Sequence, residues 1–492
     1  MIRKSAFFAG CAVLLLPGVA SSETLNEALE AAYRNNPTIT AQRASVRIAD
    51  ENVPLARAAG LPTLEGSVTY QENLLKGEPA AGGFFSDPDR QLVGSLNATV
   101  PLITFGAVKN SIAAAESRVQ ASRMGLRSTE AELFTAVVGA YMDVLRDEAV
   151  VQLNQRNGEV MRFTLRETME RQNAGNRGPT DVAQAESRVA LADSQLETAQ
   201  ARLISSREAY IRLVGHPPGE LIQPPPLPQM PTGPQEAVVM AMESNPRLLA
   251  AQAERHASSL DVEAAEGELY PRLNAISGLN HYDYLGSLAP GTGPRNGDQG
   301  TTAFVGAQLR VSFFQGGRLT AQFRQAQARH SLAIEQALDA ERAVVADSRS
   351  AFATWQASQR VIDAAQRGVD ANTRVLSGLR AEVTAGLRPL LDRLNAEQEL
   401  LNAEVTMVTA RRDAYVAGFA LLAAMGRAEA QDLNFDAAIL YDPSVYYERV
   451  HRRVFQFERD PDPQAVGTGT FDTPPQDATV APVRQRPVPT GN

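Results

Sequence analysis

From Gly106 to Asn173, and again from Gly317 to Thr384, the chain contains no proline, and in the first of these stretches apolar residues return at every seventh position. Ile112, Val119, Leu126, Leu133 and Ala140 form one such row, with the small Ala115, Ser122, Thr129 and Ala136 three places on. A helix over either stretch would be about 100 Å long at its normal rise. Sustained sevens backed by small residues predict helices packed side by side in coiled-coil fashion. Each stretch ends at a breaker, "AGNRGPTD" from Ala174 or "AGLRPLLD" from Ala385. Beyond it the sevens resume, as Val182, Val189, Leu196, Leu203 and Tyr210, or as Leu394, Leu401, Val408, Tyr415 and Leu422. The breakers therefore predict the turns of two helical hairpins, with Thr180 or Asp181 capping the first returning helix.

Ahead of each long helix the period changes to two. Leu64, Gly66, Val68 and Tyr70 alternate with Thr63, Glu65, Ser67, Thr69 and Gln71; Leu92, Leu96, Ala98, Val100 and Leu102 alternate with Gln91, Ser95, Asn97 and Thr99. Later, Ala303, Val305, Ala307, Leu309, Val311 and Phe313 alternate with Thr302, Gln308, Arg310 and Ser312, while Arg272 to Tyr282 alternates less cleanly. Alternating segments of roughly ten residues have the length of a tilted strand that crosses a bilayer. Glu65 and Arg310 fall on the polar faces, which would line a barrel lumen. The intervening "KGEPAAGGFFSDPD" and "APGTGPRNGDQG" are long turn-rich loops of the kind that outer-membrane barrels expose.

These elements occur twice. "NNPTITAQRA" at Asn35 is echoed by "SNPRLLAAQA" at Ser244, and "LPTL" at Leu61 by "YPRL" at Tyr270, 209 positions apart. From Val100/Val311 onward the offset is 211, holding through Gly106/Gly317, Glu130/Glu341, Tyr141/Phe352 and Gly215/Gly426. Internal duplication accounts for this order. Each copy opens with a predicted helix of about 35 residues, Leu25 to Ala59 or Gln235 to Leu269. The division is then 1–22, a secretory signal; 23–215, the first repeat; 216–234, a proline-rich extended linker; 235–433, the second repeat; 434–458, a C-terminal segment packing outside the helices; and 459–492, a disordered proline-rich tail.

Charge and composition narrow the class. Loss of the signal removes Arg3, Lys4 and the only cysteine, Cys11, taking the net charge from −9 to −11. An exported acidic chain without thiols is neither a disulfide scaffold nor a nucleic-acid binder. No later apolar run of about 20 residues offers a transmembrane helix, so insertion into a membrane would be as a β-barrel. Four strands do not close one, since the smallest membrane barrels use eight, and several chains would have to share it. The five histidines make no metal-ligand spacing and "GNRGPTD" lacks the ending of a phosphate loop. Neither an enzyme nor a bound cofactor is expected.

The duplicated helix–strand–strand–helix plan, the "NNP" and "SNP" openings and the "AG…D" tips resemble the TolC family of outer-membrane channel proteins, from about Thr24 to Leu433. The resemblance implies an α+β membrane protein: a homotrimer with a twelve-stranded barrel, four strands per chain, in the lipid of a Gram-negative outer membrane. It also implies a coiled-coil α-helical barrel continuing into the periplasm. Such a duct serves type I protein secretion or drug efflux, docking on a periplasmic adaptor and an inner-membrane ABC or RND-type transporter. Gly175, Arg177, Gly386 and Leu387 would form the docking tips. Asp392 matches an acidic ring position of the periplasmic constriction, and Arg388 and Asp181 match its polar links, with Thr180 as the partner of Arg388 in the neighbouring chain. Asn395 replaces a second acidic ring position, and Val383 a tyrosine that bonds the aspartate in some members, so the latch here would be weaker. The rival expectation is a soluble periplasmic coiled-coil scaffold or adaptor without a pore.

Overall fold

The computed structural model describes residues 22–75, 88–175, 178–228, 230–287, 298–433, 435–454 and 460–480. The signal (apart from Ser22), most of both strand-connecting loops, Arg177 and the last twelve positions lie outside them. In chain order the elements are β1 (Ser22–Glu23), α1 (Leu25–Asn35), α2 (Pro37–Ala58), β2 (Thr63–Glu72), β3 (Arg90–Ile103), α3 (Ala107–Asn173), α4 (Pro179–Val214), β4 (Glu220–Leu221), α5 (Pro234–Ser244), α6 (Pro246–Gly267), β5 (Arg272–Asp283), β6 (Gln299–Arg310), α7 (Arg318–Thr384), α8 (Leu390–Ala424) and α9 (Ser444–Val450).

Both proline-free stretches are single helices of 67 residues, and each returns through a hairpin. The rows of sevens face inward: Val119, Leu126, Leu133, Leu203 and Leu394 are buried, and the small Ala185, Ala192 and Ala199 close the seam of α4. The opening helices depart from expectation. Each is two helices, α1 and α2 or α5 and α6, broken at an Asn-Pro pair. Proline removes a donor and favours a first helical position, so the chain restarts there. Asn36 ends one helix and caps the next: its side-chain oxygen accepts from Thr38 N at 2.8 Å and its amide donates to Leu213 O at 2.8 Å. Asn245 repeats this, accepting from Arg247 N at 3.0 Å and donating to Ala424 O at 2.8 Å. Each joint is thus tied to the last turn of its own copy's returning helix.

The four long strands form one antiparallel sheet in the order β2-β3-β5-β6. Leu64, Ala98, Ser277 and Val305 lie opposite one another across it, as do Glu65, Asn97, Gly278 and Phe304 on the other face. Arg310 has the parity of Phe304, so the register brings Glu65 and Arg310 to the same, more polar face. Phe304 lies where a side chain on Gly278 would stand, which explains the glycine and the weaker alternation of β5. Strand β6 ends at Arg310 rather than at Phe313, and Phe313 and Phe314 stand exposed beyond it.

Packing orders the helices laterally: α2 on α3, α3 on α6 and α6 on α7 near the sheet; α4 on α3, α3 on α8 and α8 on α7 toward the turns. The main core sits between these levels, around Leu29, Tyr33, Phe134, Tyr141, Tyr210, Phe419 and Met425. There Tyr141 donates to Ile222 O, Tyr210 donates to the Glu23 carboxylate at 2.6 Å, and β1 pairs in parallel with β4, fixing the start of the linker. The segment after α8 is tied to α3 by Arg127, which donates to Glu429 at 2.7 Å, and by Ala430 N, which donates to Glu130 at 2.8 Å. Burial, assisted by the neighbouring Glu429, pushes the Glu130 carboxyl up to about 7 against the opposing effect of the Ala430 hydrogen bond.

The tail departs from the expected disorder over residues 460–480. These have no helix or strand, yet they hold defined contacts with α4 and the core, because Arg207, Glu208 and an apolar groove satisfy their backbone and small side chains. The C-terminal segment before them packs on α2 through α9 and Arg57, which donates to His451 O at 2.9 Å.

Candidate functional site at the hairpin tips

Each turn is built on a glycine in the left-handed region, Gly175 (φ 79°) and Gly386 (φ 75°), a conformation that other residues reach only with strain. Gly175 N donates to Gln172 O at 2.8 Å; Gly386 N and Leu387 N donate to Val383 O and Glu382 O. This ends the long helices and leaves Leu387 76% exposed at the second tip. The returning helices start differently from expectation. Gly178 and Pro389 are the N-terminal caps, and neither makes a side-chain capping bond. Proline at the first position of α4 shifts its start ahead of Thr180 and Asp181, so neither of these is the cap. Asp181 lies in the first turn, where a negative charge suits the helix dipole, and Thr180 is exposed.

At the second tip Arg388 sits between two acids: its Nε is 3.2 Å from Glu382 Oε2 and its Nη1 is 3.6 Å from Asp392 Oδ2. These groups and Asn395 line a cleft of about 620 Å³ between α7 and α8. Asn395 accepts from Arg188 of α4 at 2.6 Å, so the residue standing in an acidic ring position joins the two hairpins. Val383 is buried and packs with Leu390 and Leu394 against Met161 and Ala192 of the first hairpin. A phenol at this position would have to displace that apolar plug. The structure thus brings Arg388, Asp392 and Asn395 together and places Val383 behind them; within one chain Thr180 and Asp181 are not partners of Arg388.

Sequence reasoning missed the residue with most partners here. Arg393, 14% exposed at its side chain, reaches Glu167 at 3.2 Å and Thr164 at 3.3 Å on α3, and Glu397 at 3.8 Å on its own helix. Glu397 is buried and also accepts from Arg380 at 2.8 Å across the turn; Glu167 accepts from Arg171 at 2.7 Å. Five alternating charges therefore run from α7 through α8 to α3. The four-residue spacings Glu167/Arg171 and Arg393/Glu397 were a readable signal, though they resemble the surface pairs of any long helix.

At the sheet, aromatic residues mark both ends of the strands. Phe105 stacks on Tyr270 at 5.4 Å between centroids on the helix side, and the exposed Phe313 and Phe314 follow the end of β6; Tyr70, Tyr282 and Tyr284 lie at the other. Such girdles bracket the apolar band of membrane barrels. Among the described residues no helix is long and apolar enough to cross a membrane.

A duplicated chain with one four-stranded antiparallel sheet and two helical hairpins of this length has the plan of an outer-membrane channel protein. Residues 28–216 and 237–427 match the family described as "Outer membrane efflux protein", one block per repeat, and the chain belongs to that family. It is 32% identical over 450 residues to the outer membrane efflux protein BepC of Brucella suis, covering 90% of this chain and 93% of that protein. It is 27% identical to the alkaline protease secretion protein AprF of Pseudomonas aeruginosa, over 89% and 92% of the two chains. The crystal structure of VceC from Vibrio cholerae superposes with a TM-score of 0.70 at 21% identity, over 82% of this chain and 96% of that one. The protein is accordingly a Gram-negative outer-membrane protein with a periplasmic helical tunnel, and acts as the outer-membrane component of an efflux or secretion system.

Proposed function

We propose that three copies of the chain form one twelve-stranded barrel continuous with a helical tunnel, closed at the hairpin tips and opened by a periplasmic adaptor and an inner-membrane transporter. The single observation that carries this reading is the sheet. Among the described residues its edge strands β2 and β6 each have one strand neighbour, an apolar face crosses all four strands, and unpaired edges are not tolerated in lipid. The helices agree, since α7 packs on α5, α6 and α8 and leaves Leu332, Ile334, Leu338, Val361 and Val375 exposed for a neighbour. Glu65 and Arg310 would face the lumen, and the chain would supply no energy of its own.

Threefold symmetry would gather three Asp392 side chains near the axis, each with an Arg388 beside it, and this ring is the constriction in our reading. In this assembly Arg388 would exchange its in-chain acids for Thr180 or Asp181 of the adjacent copy, and Leu387, Gly386, Gly175 and Arg177 would meet the adaptor. The relatives' names point to efflux for BepC and protease secretion for AprF. One tube serves either cargo when the inner-membrane partner does the selecting. The test is reconstitution: the purified protein should run as a heat-dissociable trimer, insert into planar bilayers and conduct ions, with Arg388→Ser raising the closed-state conductance. A monomer released from cells by osmotic shock would contradict it.

A further inference from the structure

The tail crosses the molecule on a defined path. Asp460 is held by Arg449 and Arg453, both at 3.1 Å. Gly467 then passes so close to the Asn36–Pro37 joint that a Cβ on it would stand 3.1 Å from Asn35 O and from Pro37. Thr468 lies over Gly215, the left-handed cap that ends α4. Below it Gln476 N donates to Glu208 at 3.3 Å, and Ala478 and Val480 pack on the main core. Arg207 fastens the end: Nη1 donates to Asp477 O at 2.7 Å, while Nη2 donates to Thr479 O at 3.0 Å and to Glu148 of α3 at 2.7 Å. Only 12% of that arginine side chain is exposed, although it lies on a helix exposed along much of its length.

The duplication supplies an internal control. Gly418 occupies in the second copy the place of Arg207, and there the interrepeat linker does the covering: Leu227 lies where a Cβ on Gly418 would stand, beside Trp355. Both returning helices are therefore crossed by an extended segment at the same level. One crossing is made of directional hydrogen bonds from a rigid guanidinium fork, the other of a non-directional apolar contact that tolerates sliding.

We propose that residues 460–480 are a strap, buckled by Arg207, that fixes the first hairpin to its own joint. The test is hydrogen exchange, read by mass spectrometry on the assembled protein in detergent, comparing wild type, Arg207→Gln and a chain ending at Arg459. Exchange over 199–214 and over 33–40 should quicken by about tenfold in both variants, with 410–424 unaltered, because a helix opens locally more often once the strap no longer holds it. Unaltered exchange in α4, or an equal rise in α8, overturns the strap.

Discussion

Arg393 shows what one side chain decides at the tips. It is nearly covered, and it ties α8 to α3 through Glu167 and Thr164 while helping Arg380 to balance the buried Glu397. Arg393→Met should keep the stem volume and remove the charge, leaving Glu167 and Thr164 without their partner on α8. The expected loss is about 1–3 kcal/mol, read as a lower thermal midpoint together with a raised closed-state conductance. A lowered midpoint with unaltered conductance would make the residue a stabiliser with no part in closure. Glu130 carries a different prediction. Its carboxyl titrates at about 7 in the folded protein, above the ordinary carboxylate value, so folding favours its protonated form. That contribution is complete below the ordinary value and is lost as pH rises through about 7. Glu130→Gln retains an acceptor for Ala430 N, and should flatten the fall in thermal stability between about pH 5 and 8 and raise the midpoint at the upper end of that range. An unaltered pH profile would remove Glu130 from that dependence. Arg393 did not stand out in the sequence and Glu130 did so only as a repeated position, because burial of an ion in a long polar helix depends on which neighbour covers it.

The elements were largely legible where one local signal acted alone. Absence of proline marked α3 and α7, rows of sevens marked α3, α4 and α8, and the paired glycines marked the turns. Legibility failed where two signals competed. The Asn-Pro pairs lie inside a continuous amphipathic pattern, and the pattern hid a break that proline and an asparagine cap together enforce. The same competition moved the start of α4, where Pro179 outranked Thr180. The joints give a prediction of their own. Asn36→Ala and Asn245→Ala should each cost about 1 kcal/mol or somewhat more, because each loses a cap and orphans a carbonyl at the end of a returning helix. Thermal unfolding of the two variants should show similar shifts; a neutral Asn245→Ala would mean that the second joint is held by packing alone. The tail failed for another reason: its composition reads as disorder, and its order comes from Arg207, Glu208 and a groove more than two hundred residues away.

At the scale of the whole molecule, the described residues leave the sheet with two open edges, α7 with exposed apolar side chains, and a tip cleft lined by Arg388, Asp392 and Asn395. The proposed ring of copies would answer all three at once, and would place the charged tips at the end of the tunnel farthest from the membrane. The sequence could announce the duplication and the bilayer-length strands, since those are periodic. It could not show that Asn395 is engaged by Arg188, or that Val383 belongs to an apolar plug, because both depend on how one hairpin lies against the other. In the proposed assembly the second tip forms the cation-sensitive constriction of a passive duct. Single-channel recording with a multivalent cation added on the tip side is the decisive test: wild-type current should be blocked, and Asp392→Ala should weaken the block by about tenfold, or roughly 1.4 kcal/mol. A block of equal strength in the variant would show that Asp392 does not form the constriction.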